Sequence, residues 1–550
     1  METAKSMSLA AHRTRPPKAR GRKTAGRPGK NESLKLVLSH APDGSGFELP
    51  SAEQAIKEER RLVAKIDLQQ SRGRKIVLVQ GLGFVGSAVA AVVASARDLA
   101  GQPLYHVVGV DLPTVGAYWK IAKLNKGLVP FPSPDPNFTS LVHDAVKRTG
   151  NLQVTYSEAA YGRADVIIMD VGLDVRERYV TNPRKIHLNM EAFRAALRVV
   201  GRHMKADALV LVETTVPMGT CERIAVPTLK EERRRRGITE PLRLAHAYER
   251  VMPGPNYINS IRSFWRSFSG VDRESAALAR SFLSTFIDTT SHPLCELNKP
   301  VASELAKLIE NSYRALNIAF MHEWTLLAEK IGVNMFAVVE SIRVRKGTHD
   351  NMRYPGFVVG GYCLTKDSLL AQWSALNLFD TGVTLHMTLE ALRVNHDMPL
   401  HTFDLLRDIA RRKLKGRRVL LCGVSYLPDL ADTRSSPTEM LRDALVRVGA
   451  VVSLHDPLVA HWPEHDDVPI ITNLRTALAE AEAVVFAVPH REYQKLTARW
   501  LLTAAPQLRM VVDAQNIMTD TCAAALHQAG CRVSGVGKGH WRSSGYHKSP

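Results

Sequence analysis

The sequence predicts an α/β protein: two doubly wound, parallel-sheet units joined by a long central helix. Three observations carry the prediction. Lys75-Ile-Val-Leu-Val-Gln80 is an apolar β run that ends in glycines and leads into a small-residue helix pattern. A second series of strand and helix patterns starts at Arg417, and between the two series Val301 to Ile331 holds the longest helical periodicity of the chain. With 550 residues, 45% hydrophobic and 23% charged, the chain has material for two or three buried cores.

Residues 1 to about 50 are rich in Pro, Gly, Ser and basic side chains and read as a disordered tail. Ten Lys/Arg against two acids lie within residues 1–35, so much of the net charge of +19 is local, and the remainder of the chain is only moderately basic. The charge therefore suits a tail that meets an anionic partner better than a nucleic-acid-binding body. An organellar transit sequence is the other reading of this stretch, whereas the apolar segment of a secretory signal is missing. Glu53 to Gln70 then has helical spacing with mixed charge. Ile76 to Ala96 carries no charge and is long enough to span a bilayer, yet its glycines, serines and Gln80 fit a strand, a turn and a helix better. Arg233-Arg-Arg-Arg236 follows two glutamates and reads as a solvated helix end. Six cysteines show no metal-ligand spacing, so no metal is expected and a reducing, cytoplasmic setting fits.

The first unit carries Gly81-Leu-Gly83-Phe84-Val85-Gly86 between its first strand and first helix, and the second strand, Tyr105 to Val110, ends in Asp111. Glycines here permit a tight turn and let a pyrophosphate reach the helix N-terminus, while the acid holds the adenosine ribose hydroxyls. Asp111 favours NAD, since it repels the 2′-phosphate of NADP. Strand patterns at Val166–Met169 and Ala208–Glu213, separated by the helical Leu188–His203, continue the series. Thr215 follows the second of these at the sheet end where ligands bind, and Glu249 sits beside a turn at Pro253-Gly254. Both have plainer readings, Thr215 as a turn former and Glu249 as a surface acid paired with Arg250.

On the central helix Glu304, Lys307, Asn311 and Arg314 share one face. Such a stripe usually faces solvent; covered, it places an amide and a cation where an oxyanion could develop. Gly360-Gly-Tyr-Cys363-Leu-Thr-Lys-Asp367 then opens another helical pattern. Unpaired N–H groups of a helix start, with Lys366 nearby, favour a thiolate, so Cys363 reads as a nucleophile, with an inert buried thiol as the alternative. Asp367 to Leu406 is mostly helical and joins the two units. The second unit repeats the plan without a full GxGxxG, and Asp432-Thr-Arg434-Ser-Ser-Pro437 at a helix start is a candidate anion site.

These stretches together resemble the UDP-glucose/GDP-mannose dehydrogenase family of nucleotide-sugar 6-dehydrogenases over roughly residues 75 to 537. GLGFVG at 81–86 resembles its cofactor turn, ELAKLIENSYRALNIAF at 304–320 its central-helix motif and GGYCLTKD at 360–367 its nucleophile motif, with DTRSSP at 432–437 completing the set. The resemblance implies an NAD-binding Rossmann-like domain at 75–295, a central helical and dimerisation region at 296–410, and a nucleotide-sugar-binding Rossmann-like domain at 411–540. The lead-in at 51–74 and tails at 1–50 and 541–550 flank them. It also implies oxidation of a sugar C6 hydroxymethyl to a carboxylate with two NAD, through a thiohemiacetal and a thioester on Cys363. Lys307, Asn311 and Asp367 would serve the reacting oxygen and its protons, Thr215 and Glu249 would position water and move protons, and Gly360 and Arg434 would lie near the nucleotide sugar. The partners implied are a nucleotide sugar and a second copy of the chain across the central helix.

The family spelling is broken in four places. Thr365 and Tyr248 stand where it commonly has Pro, Asp170-Val-Gly-Leu-Asp174 replaces a Thr-Pro-rich turn, and Gln515 replaces an Arg. The form YERVMPG resembles the branch that acts on acetamido sugars. A single-step alcohol or hydroxy-acid dehydrogenase of related fold, which needs no cysteine, and a non-catalytic scaffold using its basic tail are the competing readings.

Overall fold

The computed structural model describes residues 37–543 apart from Pro132, Pro253, Val358, Val359 and Asp466. Most of the expected N-terminal tail, residues 1–36, and residues 544–550 lie outside the described residues. Part of that expected tail is built into the fold: Leu38–His40 (β1) and Gly46–Glu48 (β2) pair as an antiparallel hairpin. The buried Ser39 hydroxyl donates to the Val115 carbonyl at 2.6 Å and accepts from the Trp119 amide at 3.0 Å, so polar side-chain chemistry, invisible to composition, fixes the hairpin. The hydrogen bond from Lys123 holds Asp43 down to about 2. The lead-in helix Ala52–Ser71 starts on a capping box of Ser51 and Gln54 and buries Leu62 and Ile66.

Eight strands form the first sheet: β3 (Lys75–Gln80), β4 (Tyr105–Val110), β5 (Leu152–Thr155), β6 (Val166–Met169), β7 (Leu209–Val212), β8 (Arg243–His246), β9 (Ser267–Gly270) and β10 (Cys295–Glu296). They lie in the order β10-β9-β8-β7-β6-β3-β4-β5, parallel except where β9 meets β8. Winding reverses at β3, between β4 and β6, and the crevice beyond the carboxyl ends of these strands is where open sheets bind ligands. Ile76 and Leu78 face one core and Val77 and Val79 the other, which is why the run is apolar without alternation. The charge-free stretch is thus β3, the glycine turn and the helix Phe84–Ala94; among the described residues no helix is long and apolar enough to cross a membrane.

The second sheet has six parallel strands in the order β13-β12-β11-β14-β15-β16. They are β11 (Arg418–Cys422), β12 (Val451–His455), β13 (Ile470–Ile471), β14 (Ala483–Phe486), β15 (Met510–Asp513) and β16 (Arg532–Gly535). The stretch expected as a C-terminal tail begins inside this lobe, because Trp541 is buried and donates to Asp520 at 2.7 Å.

Between the lobes runs the central helix, Pro300–Lys330. It is inside out: Ser303, Glu304, Lys307 and Asn311 are buried, while Ile309, Tyr313, Phe320, Trp324 and Leu327 are exposed. Its C-terminal end is fastened to the second lobe, since Glu329 accepts from the Gly537 amide at 2.7 Å and from His401 at 2.9 Å. The Arg233–Arg236 run is only partly a solvated end. Arg233 is buried and donates to the carbonyls of Ala206 and Glu240 at 2.9 and 2.7 Å, which closes the loop behind its helix.

Candidate active site

The glycine turn has the shape of a cofactor cradle. Gly81 has φ +95° and donates to the Val110 carbonyl at 2.8 Å, and a Cβ on Gly86 would lie 2.0 Å from the Gly81 carbonyl oxygen. A Cβ on Gly83, by contrast, would meet nothing within 4 Å. That open space lies at the N-terminus of the Phe84–Ala94 helix, whose unpaired N–H groups suit a pyrophosphate. Phe84 stacks on Phe131 with ring centres 4.0 Å apart, and Val85 is half-buried against the core. Asp111, at the end of β4, accepts from the amides of Leu82 at 3.2 Å and Leu112 at 2.8 Å and pairs with Lys120. Cradle and acid fit NAD. The Asp170–Asp174 turn, whose role the sequence left open, also lies here. A Cβ on Gly81 would stand 2.4 Å from the Asp170 carbonyl oxygen, and the Asp170 carboxyl lies against Gly86.

The second cluster gathers the residues read as chemical. Lys307 is buried; its ammonium donates to the Glu249 carbonyl at 2.8 Å and stands 3.7 Å from the Glu249 carboxylate. Asn311, one turn on, donates to Asp367 at 2.6 Å, and Asp367 pairs with Lys366 at 3.1 Å. The polar stripe is therefore covered, and Glu249 is a buried partner of Lys307; Arg250 turns to Glu310 instead, at 2.9 Å. Burial opposes the Lys307 charge, but Glu249, Cys363, Asp367 and Glu310 outweigh it and hold its pKa above the ordinary lysine value. Lys366 is raised in the same way, with burial again the opposing effect and Asp367 its main partner.

Cys363 is exposed, so a substrate can reach it, although protein crowds it closely. Its carbonyl accepts from the amides of Lys366 at 3.1 Å and Asp367 at 3.0 Å, a turn that leads into the helix Asp367–Asn377. The expected thiolate is corrected here. Crowding, and after it the Asp367 charge, push the thiol up to about 11, because they outweigh the attraction of Lys307 and Lys366. Thr365 does what a proline does by rigidity: its hydroxyl donates to the Gly361 carbonyl at 2.9 Å and ties the loop to itself. Thr215 is buried beyond the end of β7, beside the Glu213–Arg266 ion pair, which is buried on both sides.

From the second lobe, Arg434 grips Asp432 with two nitrogens, at 2.9 and 2.6 Å, and its guanidinium lies 4.4 Å from the centre of the Phe84 ring and 5.6 Å from that of Tyr362. It thus joins the cofactor turn to the cysteine loop. A Cβ on Gly360 would lie 2.8 Å from Tyr426 Cβ, so the loop is pressed against the second lobe there. Gln515 points its amide oxygen toward the same loop, 3.3 Å from a Cβ on Gly356.

Cys363, Lys307, Asn311, Asp367 and Glu249 thus form one linked group, and Arg434 and Gly360 stand on its second-lobe side. Sequence reading passed over Arg266, Lys366 as a buried ion-pair partner, and Glu304 as a brace. Glu304 accepts from the amides of Gly219 at 2.5 Å and Cys221 at 2.7 Å, and burial pushes it up to about 7. Its place on the polar stripe was the one available signal; Arg266 lies far from Glu213 in sequence and left none. Among the described residues no group of acids, histidines and cysteines has the arrangement of a metal site.

Three sequence models match the chain. The NAD binding domain of the UDP-glucose/GDP-mannose dehydrogenase family matches residues 75–280, its central domain 301–397 and its UDP binding domain 420–520. UDP-N-acetyl-D-mannosamine dehydrogenase of Methanocaldococcus jannaschii is 26% identical over 448 residues, 81% of this chain and 93% of the relative. The crystal structure of NDP-N-acetyl-D-galactosaminuronic acid dehydrogenase from Methanosarcina mazei superposes with a TM-score of 0.69 at 28% identity, covering 86% of this chain and 98% of that one. The structure of UDP-D-ManNAc dehydrogenase from Pyrococcus horikoshii gives 0.71 at 25% identity, with coverage of 84% and 100%.

Proposed function

The chain belongs to the UDP-glucose/GDP-mannose dehydrogenase family and is an NAD-dependent oxidoreductase, and from that premise we propose that it oxidises the C6 hydroxymethyl of a nucleotide-activated sugar to the carboxylate in two steps. The observation that carries the reading is the linked group of an accessible cysteine, a buried lysine and a buried amide on one helix face. NAD, when bound, accepts one hydride in each oxidation. The protein's part is to hold C6 beside Cys363 and to manage charge and protons. Lys307 and Asn311 stabilise negative charge on the C6 oxygen, a role for which buried donors count far more than exposed ones.

After the first oxidation the Cys363 sulfur bonds to the aldehyde carbon, and its proton is given up as the carbonyl oxygen becomes the hydroxyl of a thiohemiacetal. Loss of the second hydride and the hydroxyl proton leaves a thioester. Water then adds to it, the C–S bond breaks, and the carboxylic acid and free thiol are released. Because the resting thiol is protonated, the step needs a base nearby, and Asp367 and Glu249 are the carboxylates in place. Thr215 assists Glu249 in positioning water.

The sugar class favoured is an N-acetylated hexosamine or hexose on a uridine nucleotide. The acetamido-sugar names of the relatives and the UDP binding domain match support it. Two copies associate across the apolar face of the central helix, in a reducing, cytoplasmic setting, and the product is an activated uronic acid for polysaccharide assembly. The basic tail would serve an anionic partner. A panel of UDP- and GDP-sugars assayed for NADH tests the reading: the substrate should give about two NADH per sugar. A ratio near one, with activity retained in Cys363→Ser, would replace it with the single-step dehydrogenase.

A further inference from the structure

Asp170 is the acid that neither the family spelling nor the chemistry above uses. It follows β6 at the lip of the cofactor crevice and keeps part of its surface open. Its Oδ2 lies 2.9 Å from the position of a Cβ on Gly86, whose amide is directed at it. This is the first turn of the Phe84–Ala94 helix, the end that suits the anionic side of a dinucleotide. A carboxylate here would compete with pyrophosphate for the same field.

Against the support that the Gly86 amide gives the negative form stand burial and three neighbouring acidic groups. Glu213 at the end of β7, Glu249 beyond β8 and the Tyr257 hydroxyl all face it. Glu213 and Glu249 are themselves paired, with Arg266 and Lys307, and among the described residues Asp170 has no ion pair. Burial, and after it Glu213 and Glu249, hold its pKa well above the ordinary carboxylate value, so the carboxyl keeps its proton to higher pH than an ordinary aspartate does.

We propose that Asp170 is a cofactor-binding residue of this site, presenting a protonated carboxyl to the anionic side of NAD at Gly86 and taking up a proton when NAD binds. The proposal rests on the reading of the first lobe as an NAD site. Its sign is fixed: bringing an anion next to the group raises its pKa further, so binding consumes protons, and NAD affinity falls as pH rises through the free-state value of Asp170. The fall reaches up to about tenfold per pH unit.

Calorimetry of NAD binding in buffers of different ionisation heat, between about pH 6 and 10, measures the proton uptake directly. Wild type should take up protons, while Asp170→Asn, which keeps a neutral donor, should bind NAD with no uptake from this group and a flat pH profile. Glu304, pushed up to about 7, is unchanged in the variant and serves as the internal control. Equal uptake in both proteins, or none in wild type, overturns the proposal. Should Asp170→Asn fail to fold, wild type answers alone: adenosine, which lacks phosphates, should bind without the pH dependence seen for NAD, and matching profiles overturn the idea. Wild type that binds no NAD at any pH defeats the NAD reading, and the inference with it.

Discussion

The two lobes begin their first turns in the same way and then part. In the first, the Gly81 amide donates to Val110 at 2.8 Å and the Leu82 amide to Asp111 at 3.2 Å. In the second, the Gly423 amide donates to His455 at 2.7 Å and the Val424 amide to Asp456 at 2.9 Å. Asp111 keeps an exposed side and faces an open cradle. Asp456 is fully buried and also accepts from the amides of Ser425, Leu458 and Val459, with His490 at 3.2 Å. A Cβ on Gly423 would fall 2.4 Å from Val488 Cβ, as one on its counterpart Gly81 would from the Asp170 carbonyl oxygen; the lobes differ two residues on, where Gly83 has open space and Ser425 is buried. One supersecondary unit thus makes a ligand seat when the acid's hydrogen-bonding shell is left incomplete and a structural bolt when it is filled. GxGxxG marks the first case because its second glycine keeps the space free.

The largest expected effect lies outside both turns. If the lobes only hold ligands and the helix between them does the chemistry, Cys363→Ser should lower turnover by more than about 10³ with NAD affinity unchanged, measured by NADH release and by titration. Asn311→Ala should cost about 10²–10³ in kcat at similar KM for NAD.

Next come the two acids. Asp456→Asn should lower unfolding stability by about 3–5 kcal/mol, since it strands a buried histidine, and leave NAD affinity alone. Asp111→Asn should do the reverse, weakening NAD by about tenfold with little change in Tm. The bolt also sets an acid limit. Burial opposes the Asp456 charge, but His490 and the backbone amides outweigh it and depress its pKa. Its contribution is therefore complete above the ordinary aspartate value and is lost as pH falls through the lower folded value, so the acid loss of stability should be shallower in Asp456→Asn. Gly423→Ala, at φ +103° against Val488, should destabilise by about 1–3 kcal/mol, and Gly83→Ala should leave Tm unchanged while blocking NAD. The smallest effect is on the thiol: alkylation of Cys363 by iodoacetamide should accelerate with pH toward about 11, and Asp367→Asn should shift that rise to lower pH by removing a neighbouring negative charge.

Much of this was legible. β3, the glycine turn and Asp111 could be read because local spacing dictates them, and so could the central helix and the cysteine loop. Lys307 and Asn311 could be placed on one face, but whether that face was wet or dry depended on Glu249, Asp367 and the loops that carry them. The Cys363 thiol was misjudged for the same reason. A helix start argues for thiolate, and only the fold shows Asp367 and the surrounding crowd that prevail over it. The hairpin at β1 and β2 hid in a polar stretch because one serine, not an apolar stripe, anchors it.

The central helix carries Lys307 and Asn311 on its dry side and Ile309 and Tyr313, only two residues from each, on its wet side. Adjacent residues on a helix are about 100° apart, so the exposed apolar flank and the buried polar flank turn as one rigid rod. Whatever covers Ile309 and Tyr313 fixes the roll of that rod and with it the aim of the ammonium and the amide. With a second copy as the cover, specific activity becomes a function of protein concentration, and dilution slows the enzyme well before it unfolds it.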